Sequence, residues 1–362
     1  MSVFILFAKA VVVLTGIVVV LSAWIVLFNN RAIRREARAN DNRLTLRGSL
    51  VRYLNGEVDL MELQKEISGN EKLLIGLAAQ LAEEFGESAR LKLIELFGVG
   101  DLSAVVQKEI RQLVRAYNWR RRQRAATFLP YIAKRELIIP LLLRSLEDKV
   151  FMVRFSAAHS LAKVKAIETI IPLLEHLSLP REWPAERTIE IINEMGREAI
   201  TPLLSYLSMP EAKSECKIFA LSALGMQQVR EAIPVMLSYL HSPDKELRIQ
   251  SAKALGNIGA TEATQALCAC MKDNAWEVRA ASANALGLIN NNQAIAVLVN
   301  SLGDPAWWVR YNSANALAEL GSDGIAALNN AFSHNDKFAR EVSRLVLQER
   351  SMFTYNQKSS AA

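Results

Sequence analysis

The chain has 362 residues, 51% apolar and 22% charged, so it carries enough apolar material for a large buried core. Its 16 glycines and 10 prolines are few beside Leu, Ala, Ile, Glu and Arg, which favours helices and argues against a loop-rich or β-rich fold. Three cysteines, Cys216, Cys268 and Cys270, cannot build a disulfide framework and point to a reducing compartment.

The first stretch in chain order, VFILFAKAVVVLTGIVVVLSAWIVLF at residues 3–28, approaches the roughly 20 apolar residues that a membrane-spanning helix needs. It is too long for a signal peptide, and NNRAIRREAR follows it instead of a small-residue cleavage site. Arg31, Arg34, Arg35 and Arg38 outweigh Lys9, so the segment is expected as a single-pass anchor in the inner membrane with the remaining chain in the cytoplasm. Residues 29–52 read as a basic juxtamembrane segment, whose partners would be anionic lipid headgroups or an acidic protein surface.

Residues 53–116 carry helical periodicity, as in LLIGLAAQLAEEF, without a repeated phrase. Next comes the densest charge cluster, NWRRRQR, with Arg120, Arg121, Arg122 and Arg124; residues 108–135 hold nine basic groups against Glu109. Anionic lipid or an acidic partner suits this cluster. Nucleic acid is not expected, because interleaved aromatic stacking residues are missing. Arg120 and Arg124 also match the R-x-x-x-R half of a cyclic-di-GMP signature whose second half is missing.

From there the chain repeats itself. DNAWEVRAASANALGLI at 273–289 and DPAWWVRYNSANALAEL at 304–320 place Arg248, Arg279 and Arg310 at an interval of 31 residues, with Lys217 one step earlier and Arg154 further back. Asp148, Ser242, Asp273 and Asp304 stand six residues before these basic groups and read as helix N-caps, with Pro at the first helical position in two units. A second apolar run follows each Gly- or Asn-rich break, so each unit is a helical hairpin that buries its apolar face only against the next copy. The small residues of SANAL and SAKAL allow close helix approach.

The phrases VRFSAAHSLAKV, LRIQSAKALGNIG, VRAASANALGLI and VRYNSANALAELG resemble HEAT repeats of the short bacterial kind named from phycobilin lyases. The resemblance is specific over residues 148–332. Weaker copies extend the solenoid to 117–350, and residues 335–350 resemble a last B helix that would cap it. The expected fold is all-α: an α-solenoid of HEAT-like hairpins preceded by one transmembrane helix, with a flexible tail at 351–362. The resemblance implies a ladder of Arg154, Arg248, Arg279 and Arg310 with Asp148, Asp273 and Asp304 along the stack. Lys217 departs from that pattern, and so does the unit around 182–187, so the stack is expected to bend or loosen near residues 178–190.

Chemistry is sparse. There is no Walker loop, G-x-S-x-G or H-E-x-x-H motif, and His159, His176, His241 and His334 are scattered over different units. Cys268 and Cys270, two apart on a helix, point to nearly opposite sides and make a poor metal site. No enzyme activity, cofactor or metal is expected. Phe151, Trp276, Trp307 and Phe338 occupy equivalent positions near helix starts, with Trp308 extra in its unit. Either these rings pack between hairpins, or they form an exposed ridge for a protein partner. The sequence therefore points to a scaffold for a partner, expected to be a membrane protein. By resemblance, that partner belongs to an envelope polysaccharide glycosyltransferase assembly. A phycobilin-lyase-like enzyme and a nucleotide- or lipid-responsive regulator are the alternatives.

Overall fold

The computed structural model describes residues 40–67, 70–177 and 185–360, together with Leu21, Trp24, Phe28 and Ala37. Among these residues every regular element is a helix. The helix expected at 3–28 lies outside the described residues apart from Leu21, Trp24 and Phe28. Among the described residues, no helix is long and apolar enough to cross a membrane. The single-pass inner-membrane placement is therefore not supported: an apolar run of suitable length is necessary for a span, and among the described residues no helix combines that length with that apolarity.

The chain divides into two compact units, Met1–Ile138 and Ile139–Ala362. In the first, α1 (residues 40–55) packs with α2 (Leu60–Ile67), α3 (Glu71–Phe85), α4 (Glu87–Phe97), α5 (Leu102–Arg115) and α6 (Trp119–Ile132). Its core is built from Leu50, Leu74, Leu77, Leu81, Leu93, Leu96, Phe97 and Leu129, all buried. Ion pairing closes the rim, where Arg47 of α1 donates to both carboxylate oxygens of Glu84 at 2.8 Å. The division between the units falls within α7 (Arg135–Ser145).

The second unit is a stack of hairpins. First helices are α8 (Phe151–Lys163), α10 (Ala185–Glu194), α12 (Ser214–Met226), α14 (Lys245–Ile258), α16 (Trp276–Ile289) and α18 (Trp307–Glu319). Their partners are α9 (Ile170–Leu177), α11 (Ile200–Leu207), α13 (Ile233–Tyr239), α15 (Thr264–Cys270), α17 (Ile295–Asn300) and α19 (Gly321–Asn330). A single 3₁₀ turn opens α11, α13, α15 and α17, and its last residue, Ala199, Ala232, Ala263 or Ala294, is fully buried. Left-handed residues, Gly259 at φ 68° and Asn290 at φ 56°, end α14 and α16, which explains the Gly- and Asn-rich breaks.

First helices pack on one another more closely than second helices do, and the sequence shows why. A Cβ added at Gly225, Gly256 or Gly287 would lie 2.8 Å from the Cα of Ala254, Ala285 or Ala316 on the following first helix. Only glycine against alanine permits this approach.

Three details differ from the sequence reading. Asp148, Ser242, Asp273 and Asp304 are not the N-caps of α8, α14, α16 and α18, which are Val150, Asp244, Ala275 and Ala306. Their side-chain oxygens accept the N–H two residues on, at 2.8–3.1 Å, closing a turn ahead of each helix. The last element, α20 (Lys337–Ser360), stands in the register of a first helix, since Phe338 aligns with Trp307, and it remains helical where a tail was expected. Of residues 178–190, where the stack is expected to bend or loosen, 178–184 lie outside the described residues.

Candidate functional site

The repeat arginine ties each turn to the next hairpin. Arg248 Nη1 donates to Ser242 O at 2.9 Å while its Nε and Nη2 grip Asp273 at 2.8 and 3.0 Å. Arg279 does the same with Asp273 O and with Asp304, every bond at 2.8 Å. Both pairs are largely buried, with side chains 11–16% exposed, so water screens them little. Burial pushes the Asp273 carboxyl up, but the Arg248 hydrogen bonds and charge, the Ala275 N–H and Arg279 outweigh it and hold it below the usual carboxylate range.

The ladder stops at Arg310. Its Nη1 donates to Asp304 O at 2.7 Å, but the next rung offers His334, and the guanidinium lies over the Phe338 ring at 4.5 Å. Among the described residues, Arg310 has no carboxylate partner. Arg154 donates to Asp148 O at 2.7 Å, Arg122 to Ala116 O at 2.7 Å and Arg340 to His334 O at 2.6 Å. Arg122 and Arg340 thus belong to the same device. The six-residue spacing from turn carbonyl to arginine was visible in the sequence, though the acidic residue that usually marks it was replaced by Ala116 and His334.

With the arginines committed to structure, the first-helix surface carries the remaining chemistry. A groove of about 550 Å³ runs over α14, α16 and α18, walled by Trp276 and Trp308 and floored by Ile249, Ala280 and Ala281. Glu246, Glu277, Lys253, Asn284 and Asn312 supply its polar groups. Trp276 is 41% exposed and Trp308 54%, a large apolar surface to leave in water. The groove has local order. Lys245 Nζ clamps Glu277 Oε1 at 2.8 Å, which raises the lysine's pKa and lowers the glutamate's, and Asn312 Nδ2 donates to Ala280 O at 3.0 Å.

The aromatic residues expected to act as a set divide into three environments. Trp307 stacks on Tyr311 (centroids 4.8 Å, 12° between planes) and meets Trp308 edge-on at 4.7 Å, so the two tryptophans hold each other in place. Phe338 is exposed but serves Arg310. Phe151 is half-buried beside Phe155 and under Arg154, apart from the groove lining. Spacing alone could not separate these roles, because equivalent backbone positions meet different neighbours in each repeat.

In the first unit, Arg120 lies over its neighbour Trp119 at 5.1 Å. Arg124 lies over Phe128 at 5.8 Å and pairs at 3.6 Å with Glu109, a carboxylate only 2% exposed. Burial raises the Glu109 pKa, against the opposing pull of Arg124 and Lys108. Arg120 and Arg124 thus each lie over a ring of their own helix, and Arg124 also reaches the Glu109 carboxylate on α5. Arg31, Arg34, Arg35 and Arg38 lie outside the described residues. His159 sits 3.4 Å from Glu194 and His176 3.8 Å from Glu147, in separate hairpins. Among the described residues, no group of three or more His, Cys, Asp or Glu is placed to hold a metal ion.

A family model of HEAT repeats matches residues 107–193, 200–283 and 268–348. No curated protein matches the chain significantly. Among solved structures, human deoxyhypusine hydroxylase in complex with glycerol is 18% identical, with 69% of this chain and 98% of that one covered at a TM-score of 0.29. The complex of CpcE and CpcF of phycocyanin lyase from Nostoc is 19% identical, covering 66% and 92% at 0.30. The karyopherin Kap121p bound to the SUMO protease Ulp1p is 12% identical, covering 84% and 41% at 0.45. Likeness at these levels says nothing of what the present chain binds or does.

Proposed function

The chain belongs to the HEAT-repeat family, and from that premise we propose that it is a non-catalytic scaffold whose first-helix groove docks an extended segment of a partner protein. The observation that carries this reading is the pair Trp276 and Trp308, 41% and 54% exposed, facing one groove of about 550 Å³. Tryptophan is among the side chains that contribute most often to binding energy at an interface. Asn284 is exposed in the groove and, among the described residues, has no hydrogen-bond partner, so its amide is free to pair with a peptide backbone. Such a segment would lay side chains against the two indole walls and its main chain over the asparagines.

The test is a photo-crosslinking amino acid at position 284 of the full chain, in cells, with and without Trp276→Ala and Trp308→Ala. A discrete protein captured by the parent and lost in a double variant of unchanged melting temperature supports the reading. Capture that is indifferent to the tryptophans sinks it. A double variant that loses its helical structure assigns the rings to the core and overturns it equally.

A further inference from the structure

The turn of the α5–α6 hairpin gathers four exposed arginines: Arg111 and Arg115 near the end of α5, Arg120 and Arg121 in the first turn of α6. Among the described residues, none of the four forms an ion pair with a carboxylate. Tyr117, in the connection between the helices, is fully exposed. Arg111 and Arg115 are one helical turn apart and so share a face of α5. The one carboxylate between positions 108 and 124 is Glu109, which is buried and paired with Arg124, so the hairpin has no acid of its own at the surface.

The placement of these charges cannot be explained by the stability of the hairpin. Arg115 complements the negative end of the α5 dipole, but Arg120 and Arg121 stand at the positive end of α6, where a cation is disfavoured. Four like charges around one turn also repel one another. Both costs fall when an anion arrives, and guanidinium forks match carboxylates two bonds at a time.

We propose that this turn docks an acidic segment of a protein partner, with carboxylates bridging Arg111, Arg115, Arg120 and Arg121. The observations favour an acidic peptide over nucleic acid. Single strands need successive uncovered rings to stack on, yet Arg120 lies over Trp119 and Arg124 over Phe128, leaving Tyr117 as the uncovered ring of the hairpin turn. The site is separate from the tryptophan groove and stands whether or not that groove binds a partner.

The experiment is fluorescence anisotropy of the full chain with a fluorescein-labelled peptide of twelve glutamates and, in parallel, a labelled twelve-nucleotide oligothymidylate. The fourfold variant Arg111→Glu, Arg115→Glu, Arg120→Glu, Arg121→Glu weakens peptide binding by at least about tenfold, as does raising salt from about 50 to about 300 mM. The milder Arg→Gln set at the same positions falls between, which guards against misfolding as the cause. A control with the same charge change at exposed positions, Lys149→Glu, Arg197→Glu, Lys213→Glu, Lys272→Glu, changes binding less than about twofold. Trp276→Ala with Trp308→Ala leaves it unchanged, which separates this site from the groove. Equal loss in the fourfold variant and the control, absence of peptide binding, or tighter binding of oligothymidylate overturns the proposal.

Discussion

Gly256 of α14 faces Ala285 of α16 so closely that a Cβ on the glycine would lie 2.8 Å from the alanine Cα and 2.9 Å from its Cβ. Neither atom belongs to a flexible side chain, so relief would require the helices to move apart. Gly256→Ala is therefore expected to cost about 1–3 kcal/mol despite alanine's better helix propensity. Urea denaturation of the parent and variant checks it; a stabilised variant would show that the helices separate freely.

The Arg248–Asp273 rung gives the stack an acid-sensitive component. The folded Asp273 carboxyl sits below its usual value, so its contribution is complete above the unfolded pKa of about 3.9 and is lost as pH falls through the lower folded value. Asp273→Asn keeps the acceptor for Ala275 N–H but removes the charge, and should cost about 2 kcal/mol at pH 7. The gap between parent and variant should close towards pH 2 in melting experiments. A gap independent of pH would refute the ionic origin.

At the broken rung, His334→Asp should stabilise the protein. His334 Nδ1 accepts the Asp336 N–H at 3.0 Å, a role a carboxylate oxygen can fill, and the new charge would face Arg310 as Asp304 faces Arg279. The gain is expected at about 1 kcal/mol, read as a rise in melting temperature that disappears when Arg310 is also changed to Met.

How much of this was legible beforehand follows from what a repeat does and does not encode. The 31-residue interval of Arg248, Arg279 and Arg310 fixed helical hairpins and their register, because a stacking interface must recur in every unit. Glycine 225, 256 and 287 were also periodic, yet their close approach to the next alanine is a tertiary fact that one helix does not disclose. The partner of each ring was hidden for the same reason: Trp276, Trp307 and Phe338 share a position and are all exposed, but Trp276 lines the groove, Trp307 stacks on Tyr311 and Phe338 lies under Arg310. Hydrophobicity at residues 3–28 is a signal of another kind, since a run of apolar residues states a capacity for spanning, and among the described residues no helix is long and apolar enough to cross a membrane.

The interlock of Gly225 with Ala254, Gly256 with Ala285 and Gly287 with Ala316 has the same geometry at each junction. A cassette of 31 residues cut out between two such junctions would rejoin a glycine to an alanine in the original fit. The fold can thus lengthen or shorten by duplication and excision without inventing a new interface. Each added cassette would supply one more rung of exposed first-helix surface, so the reach of the binding face can evolve independently of its composition.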